Sequence, residues 1–144
     1  MNNKTISLKI VTPERVTYEG EKFKQATLPV SDGEVTILPN HRSYIASLKS
    51  GEITLKKDGE EVNLAVTGGF IEFNDNKLIV LADEAERAEE IDLEKAEEAR
   101  KRAEELKKKA IGTDEVEYAR VAAALENELA KIKVAKRYLR RKGL

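Results

Sequence analysis

Apolar and polar positions alternate from the start of the chain. Ile6, Leu8 and Ile10 lie on one side and Ser7 and Lys9 on the other, the pattern of a half-buried strand. Thr12-Pro13-Glu14-Arg15 reads as a turn, because Pro13 fixes φ and has no amide donor. Val16-Thr17-Tyr18 resumes strand character until Gly20, and Phe23, Ala26 and Leu28 belong to a following strand that ends at Pro29. Asp32-Gly33 is a hairpin signal leading into Val35–Leu38, and Pro39-Asn40 turns again. Tyr44, Ala46 and Leu48 alternate, as do Ile53 and Leu55, then Val62, Leu64 and Val66, with turns at Ser50-Gly51 and Asp58-Gly59. Short strands with frequent turns, uninterrupted by any long helical period through residue 82, predict an all-β sandwich or barrel.

Phe70–Phe73 and Leu78–Leu81 form a hairpin across Asn74-Asp75-Asn76-Lys77, preceded by the paired glycines Gly68-Gly69, which permit a bend or bulge. Leu78–Leu81 is apolar without alternation, so both of its faces are expected to be covered, one by the core and one by later chain or a partner. After Leu81 the composition changes to Ala, Glu, Lys and Arg, and from Ile91 the period becomes helical. Leu93, Ala96, Ala99, Ala103, Leu106 and Ala110 fall on one face, Asp92 is placed as N-cap, and Gly112 stops the helix. Asp114 and Glu117 resemble a capping box for a second helix whose apolar stripe is Tyr118, Ala122, Leu125, Leu129, Ile132 and Leu139. The domains are therefore expected as a β-sandwich over residues 1–86 and an antiparallel α-helical hairpin over 87–144. The alanine seam buries little area, so the hairpin is expected to lean lightly on the sandwich or on a partner.

Composition narrows the chemistry. There is no cysteine and a single histidine, His41, which leaves no thiolate or dedicated zinc site and no triad partner set. The N-terminal stretch MNNKTISLKIV has no apolar core of a signal peptide, and no run approaches the roughly 20 residues of a membrane span. A soluble, intracellular protein is expected. The net charge of -1 is unevenly spread, with Asp83–Glu98 strongly acidic and seven bases but no acid from Lys131 onward. That polarity suits an oriented protein partner. Nucleic acid is disfavoured, because the acidic flank repels phosphate and aromatics for stacking are scarce.

Several segments together resemble the epsilon-subunit family of bacterial F-type ATP synthases: Ser31–His41 (SDGEVTILPNH), Ser47–Ile53 (SLKSGEI), Val66–Phe73 (VTGGFIEF), Asn76–Glu86 (NKLIVLADEAE), Ile91-Asp92, and Ala130–Ala135 (AKIKVA). The resemblance spans essentially the whole chain. It implies a non-catalytic central-stalk subunit, peripheral at the cytoplasmic face of the bacterial plasma membrane. Its implied partners are the gamma subunit, the c ring and the catalytic alpha and beta subunits. It further implies coupling of proton flow to ATP synthesis and inhibition of ATP hydrolysis through the helices. The rival reading is a free-standing sandwich binding module with a dimerising helical arm, distinguished by a stable homodimer in place of a gamma complex.

The resemblance also assigns candidate sites. Glu34 and His41 match the edge that contacts the c ring, although Thr36 replaces a usual glycine and Arg42-Ser43 a usual Ala-Pro nearby. Read without the resemblance, Glu34 is a solvated turn acid and His41 a loop residue. Ile91, Asp92, Lys95 and Ala96 resemble an I/L-D-x-x-R-A nucleotide motif in which Lys95 replaces the arginine; Arg102 matches a further basic position, and Lys131 is a base where relatives that bind ATP carry arginine. Asn127 stands where relatives that bind ATP carry arginine. No cofactor is required, and regulatory ATP is a secondary expectation, since Asp92 as a simple cap accounts for the same residues. Lys136, Arg137, Arg140, Arg141 and Lys142 form a basic tip implied to meet an acidic segment of the beta subunit; the plain alternative is a solvated helix end complementing the macrodipole.

Overall fold

The computed structural model describes residues 5–143. Ten strands precede two helices among these residues: β1 (Ile6–Val11), β2 (Val16–Phe23), β3 (Gln25–Val30), β4 (Gly33–Ile37), β5 (Tyr44–Leu48), β6 (Gly51–Lys57), β7 (Glu60–Val66), β8 (Gly69–Asn74), β9 (Lys77–Ala82) and β10 (Ala85–Arg87). A single 3-10 turn at Ala88–Glu90 leads into α1 (Leu93–Ala110) and α2 (Glu115–Arg141). The strands form one rolled sheet in the order β10-β7-β6-β3-β5-β8-β9-β1-β2, with β4 added on β3. Alternation sends Ile6, Leu8, Ile10, Leu28, Ile53, Leu55, Leu64, Ile71, Leu78 and Val80 inward around Phe23 and Phe73, and that cluster is the core. The sandwich and helical hairpin expected from the pattern are both present.

Four details differ from the sequence reading. β2 does not stop at Gly20 but runs on to Phe23, which ends this strand instead of opening the next. A Cβ on Gly20 would lie 2.8 Å from the Phe23 ring, so the glycine is there to let that ring fold inward and is not a strand breaker. β1 pairs with β9 in parallel, which no local turn signal announces. The short β10 pairs with β7 and runs one residue past the boundary expected after Glu86.

The fourth difference concerns which strand is covered twice. The chain itself covers β9 only on the core side: Leu78 and Val80 are buried, while Ile79 and Leu81 face outward and remain exposed, so of the two covers expected for that face the later chain is not the one supplied. The doubly covered strand is β7, buried continuously from Val62 to Val66. Its outer face carries Asn63 and Ala65, side chains short enough to admit a helix against the backbone. Their small size and polarity made β7 resemble an ordinary half-solvated strand.

That helix is α2. It touches β6, β7 and the 3-10 turn, while α1 packs on α2. Asp92 caps α1 by accepting from the Lys95 amide at 3.1 Å, and Asp114 caps α2 by accepting from the Glu117 amide at 2.8 Å. The reciprocal half of the α2 capping box is missing, because the Glu117 carboxylate pairs with Arg120 instead. The buried seam of α1 is Ala96, Ala103 and Ala110, and Leu106 points to solvent. In α2 the buried set is Val121, Leu125, Ile132, Val134 and Ala135; Tyr118 and Leu129 are exposed. The expected stripe missed Val121, Val134 and Ala135 because α2 serves two neighbours and so needs two apolar faces.

Candidate functional site

Three surfaces carry the candidate residues. The first lies on the outer face of β5, β8 and β9. In register, Phe70 stands opposite Leu81 and Glu72 opposite Ile79, while Ile45 faces Glu72 from β5. The parallel neighbour β1 adds Val11 beside Leu81. Ile45, Phe70, Ile79 and Leu81 are between 40% and 72% exposed, and such side chains gathered on one sheet face mark a contact surface. Sequence reasoning found this surface only through the unbroken run Leu78–Leu81; Ile45 and Phe70 looked like ordinary strand residues.

Glu34 and His41 are not brought together. Glu34 is exposed near the start of β4, across from Pro29, whereas His41 follows the far end of that strand. The His41 ring sits edge-on to Tyr44 and Phe73 at 5.8 and 5.9 Å, and its Nδ1 lies 2.7 Å from the Arg42 carbonyl. Glu34 borders an open cleft of about 710 Å³ between the sandwich and α2, which Ser50, Glu52, Leu129 and Arg137 also line.

The second surface gathers all six candidate nucleotide residues. Ile91, Asp92, Lys95, Ala96, Arg102 and Lys131 line one cleft of about 380 Å³ between the two helices and β10, together with Glu86, Glu98 and Glu128. Its chemistry does not fit a triphosphate. Four carboxylates face three bases, Asp92 is engaged as a helix cap, and the Lys131 ammonium lies 3.4 Å from Glu84 and 3.7 Å from Glu128. Asn127 is turned elsewhere, accepting at 2.5 Å from the Ser50 hydroxyl. Among the described residues no cluster of three or more His, Cys, Asp or Glu side chains is placed to hold a metal.

Glu86 sits at the edge of that cleft with its pKa raised, first by desolvation, with Glu84, Glu90 and Glu128 adding to the rise and Lys131 opposing it. The folded protein therefore holds this proton to a higher pH than the unfolded chain does. Its contribution falls as pH rises from the ordinary carboxylate range through the folded value, and is lowest above it. Glu86→Gln is expected to match the parent at pH 4 and exceed it in stability at pH 7, read by urea unfolding at both. An equal difference at the two pH values would contradict this.

The third surface is the basic tip, and it is docked instead of free. Arg137 donates to Glu52 at 2.7 Å, and Arg141 pairs with Glu61 and Glu52 and donates to Asn63 at 2.8 Å. Lys136 lies 3.5 Å from Glu97 on α1, and the Lys142 ammonium sits over its own helix's Tyr138 ring. Arg140 and Lys142 are exposed. Nothing in the sequence marked Glu52 and Glu61 as partners of the tip, because they look like ordinary surface acids of two adjacent strands.

The fold and its surfaces define a two-part chain suited to binding other proteins: a sandwich with an apolar outer face, and a helical hairpin docked through α2 against β6 and β7. Comparison with known proteins agrees. A family model described as ATP synthase, Delta/Epsilon chain, beta-sandwich domain matches residues 5–88, and one described as the long alpha-helix domain of the same chain matches residues 89–136. The ATP synthase epsilon chain of Desulforamulus reducens is 40% identical over 133 residues, covering 92% of this chain and 98% of the relative. That of Pelotomaculum thermopropionicum is 48% identical over 105 residues, covering 73% and 78%. A chain of the Euglena gracilis mitochondrial ATP synthase, solved as an OSCP/F1/c-ring assembly, shares the fold with a TM-score of 0.73 at 23% identity, over 88% of this chain and 78% of that one. This chain belongs to the ATP synthase delta/epsilon chain family, and these bacterial relatives within it are epsilon chains.

Proposed function

We propose that this chain is a non-catalytic subunit of the rotary central stalk. It joins the gamma subunit and the c ring through its sandwich and restrains ATP hydrolysis by the alpha and beta subunits through its helices. By this reading it takes part in coupling proton flow to ATP synthesis, peripheral to the membrane on the cytoplasmic face. The observation that carries the proposal, beside family membership, is the division of labour between surfaces. The apolar sheet face of Ile45, Phe70, Ile79 and Leu81 is left uncovered by the chain's own helices, which rest on the other side of the sandwich against β6 and β7. An anchor and a movable arm are thereby separated. The alternative of a dimerising helical arm is less well supported, because the face of α2 that would dimerise is occupied by α1 and the sheet.

The apolar face is the expected gamma contact. Phe70 and Leu81 are directly opposed across β8 and β9 and more than half exposed, so replacing both by serine removes little from the core. Burial of each in an interface is worth about 1.5–3 kcal/mol. The double variant is expected to lose about 3 kcal/mol or more of gamma binding, roughly a hundredfold in affinity, with its β-sheet circular dichroism unchanged. Undiminished gamma binding would move the anchor to another face.

Nucleotide is not expected to be part of the mechanism. The acid-rich cleft around Asp92 forgoes several charge-assisted hydrogen bonds to phosphate, each worth about 1.5–3 kcal/mol, or one to two powers of ten in affinity. Calorimetry with ATP should show binding far weaker than micromolar. Micromolar binding abolished by Asp92→Ala would overturn this.

A further inference from the structure

The contact between α2 and the sandwich has little apolar content. Its buried part consists of Ala65, Ala88 and Val134, flanked by the partly buried Ile91 and Tyr138. Beside it opens the cleft of about 710 Å³, so the helix is not sealed against the sheet along its length. The polar part is much denser. Glu52 on β6 accepts from Arg137 at 2.7 Å and lies 3.4 Å from Arg141; its side chain is only 14% exposed. Arg141 also pairs with Glu61, and donates to the Oδ1 of Asn63, whose own Nδ2 reaches Thr54 at 3.3 Å. Asn63 is buried.

We propose that Glu52 and Glu61 are a carboxylate latch that holds the tip of α2 on the sandwich, so that Arg137 and Arg141 are committed either to these two acids or to an acidic partner, never to both. The two carboxylates balance the charge of these guanidinia and hold them against the sheet, so an acidic surface elsewhere can engage them fully only once the tip has left the sandwich. Glu52 is also too poorly hydrated in the docked state to be a passive surface charge, and freed of its arginines it must regain water by separation of helix and sheet. The latch therefore sets how often the tip is available. It operates within the folded chain; its consequence for ATP hydrolysis rests on the reading of the helices as the inhibitory arm.

The chain has no cysteine, which makes a trap clean. Ser50 and Asn127 touch across the interface, at 2.5 Å between Oγ and Oδ1, so Ser50→Cys with Asn127→Cys reports docking by the rate of disulfide formation in the isolated full chain. Adding Glu52→Gln and Glu61→Gln is expected to slow that rate at least fivefold, and raising salt should slow the parent pair but not the quadruple variant. An unchanged rate would overturn the latch and assign docking to the alanine and valine contacts. Charge exchange is the second test: Glu52→Arg should slow closure, and Glu52→Arg with Arg137→Glu should restore part of it. Absence of any recovery also counts against the latch. In the reconstituted synthase, Glu52→Gln with Glu61→Gln in the cysteine-free chain should deepen inhibition of hydrolysis at least twofold. Unaltered inhibition by a chain whose docking has loosened would overturn the competition for the arginines. If instead the parent chain does not inhibit at all while the trap responds as expected, the latch stands and the proposed inhibitory role fails.

Discussion

Removal of residues 91–144 is expected to leave a folded sandwich that still joins gamma, while ATP hydrolysis by the reconstituted complex rises several-fold. The cut is placed after the 3-10 turn because β10 belongs to the sheet: Ala85, Glu86 and Arg87 pair with Val66, Ala65 and Leu64. A cut after Glu86 would sever that strand. What the shortened protein loses is the cover over Asn63, Ala65 and Ala88. Exposing two alanine methyls costs about 1–2 kcal/mol, and re-hydrating Asn63 offsets part of this. The core around Phe23 and Phe73 is untouched, since no helix residue joins it. Circular dichroism of the fragment, a gamma pull-down and a hydrolysis assay check the three parts. Loss of gamma binding would place the anchor on the helices, and unchanged hydrolysis would deny them a restraining role.

Gly69→Ala should be among the most damaging single methyl additions in the sandwich. Gly69 sits at φ +125°, and a Cβ there would lie 1.9 Å from the Leu81 carbonyl oxygen and 2.9 Å from the Ala82 Cα. These are backbone atoms of the paired strand β9, so neither can rotate away. Gly33 provides the control. Its φ is +126°, but nothing lies within 4 Å of the added carbon. Gly33→Ala is therefore charged only with backbone strain, about 1–3 kcal/mol. Gly69→Ala adds a collision that must push β8 off β9, so a loss beyond 3 kcal/mol is expected. For a domain of this size that is a fall of roughly 12–24 °C in melting temperature. Melting temperatures within a few degrees of one another for the two variants would show that the strands separate at no cost.

Much of the sandwich was legible because turn chemistry and alternation repeat each other's message. Asp32-Gly33, Asp58-Gly59 and Asn74–Lys77 each lie at the turn of a hairpin of the structure, and the inward residues Ile53, Leu55, Leu64 and Val66 are those that alternate. What escaped was everything decided by a neighbour distant in sequence. β7 reads as half-solvated because Asn63 and Ala65 do not betray the helix lying on them. The stripe on α2 was drawn for one neighbour, so Val121 and Val134 were passed over. Lys136, Arg137 and Arg141 read as a free basic end, yet their partners Glu97, Glu52 and Glu61 are supplied by α1 and by two strands. The cleft around Asp92 was legible as a set of residues through family resemblance. Its surplus of acid was not, because Glu86 and Glu128 come from segments far apart in sequence.

The parallel pairing of β1 with β9 also sets an order of events during synthesis. Leu8 and its partner Leu78 are seventy residues apart in sequence, so the β1–β2 hairpin emerges long before the strand it must lie beside. At about 5–20 residues per second, the ribosome needs on the order of 4–14 s to supply β9. Through that interval Ile6, Leu8 and Ile10 have no core to enter and the β1 edge is open to mispairing with other nascent chains. The helices, whose contacts are local, can coil within microseconds of release. The helical hairpin, made last, can thus form its own contacts soonest, while the sandwich, begun first, closes only once β9 has been supplied.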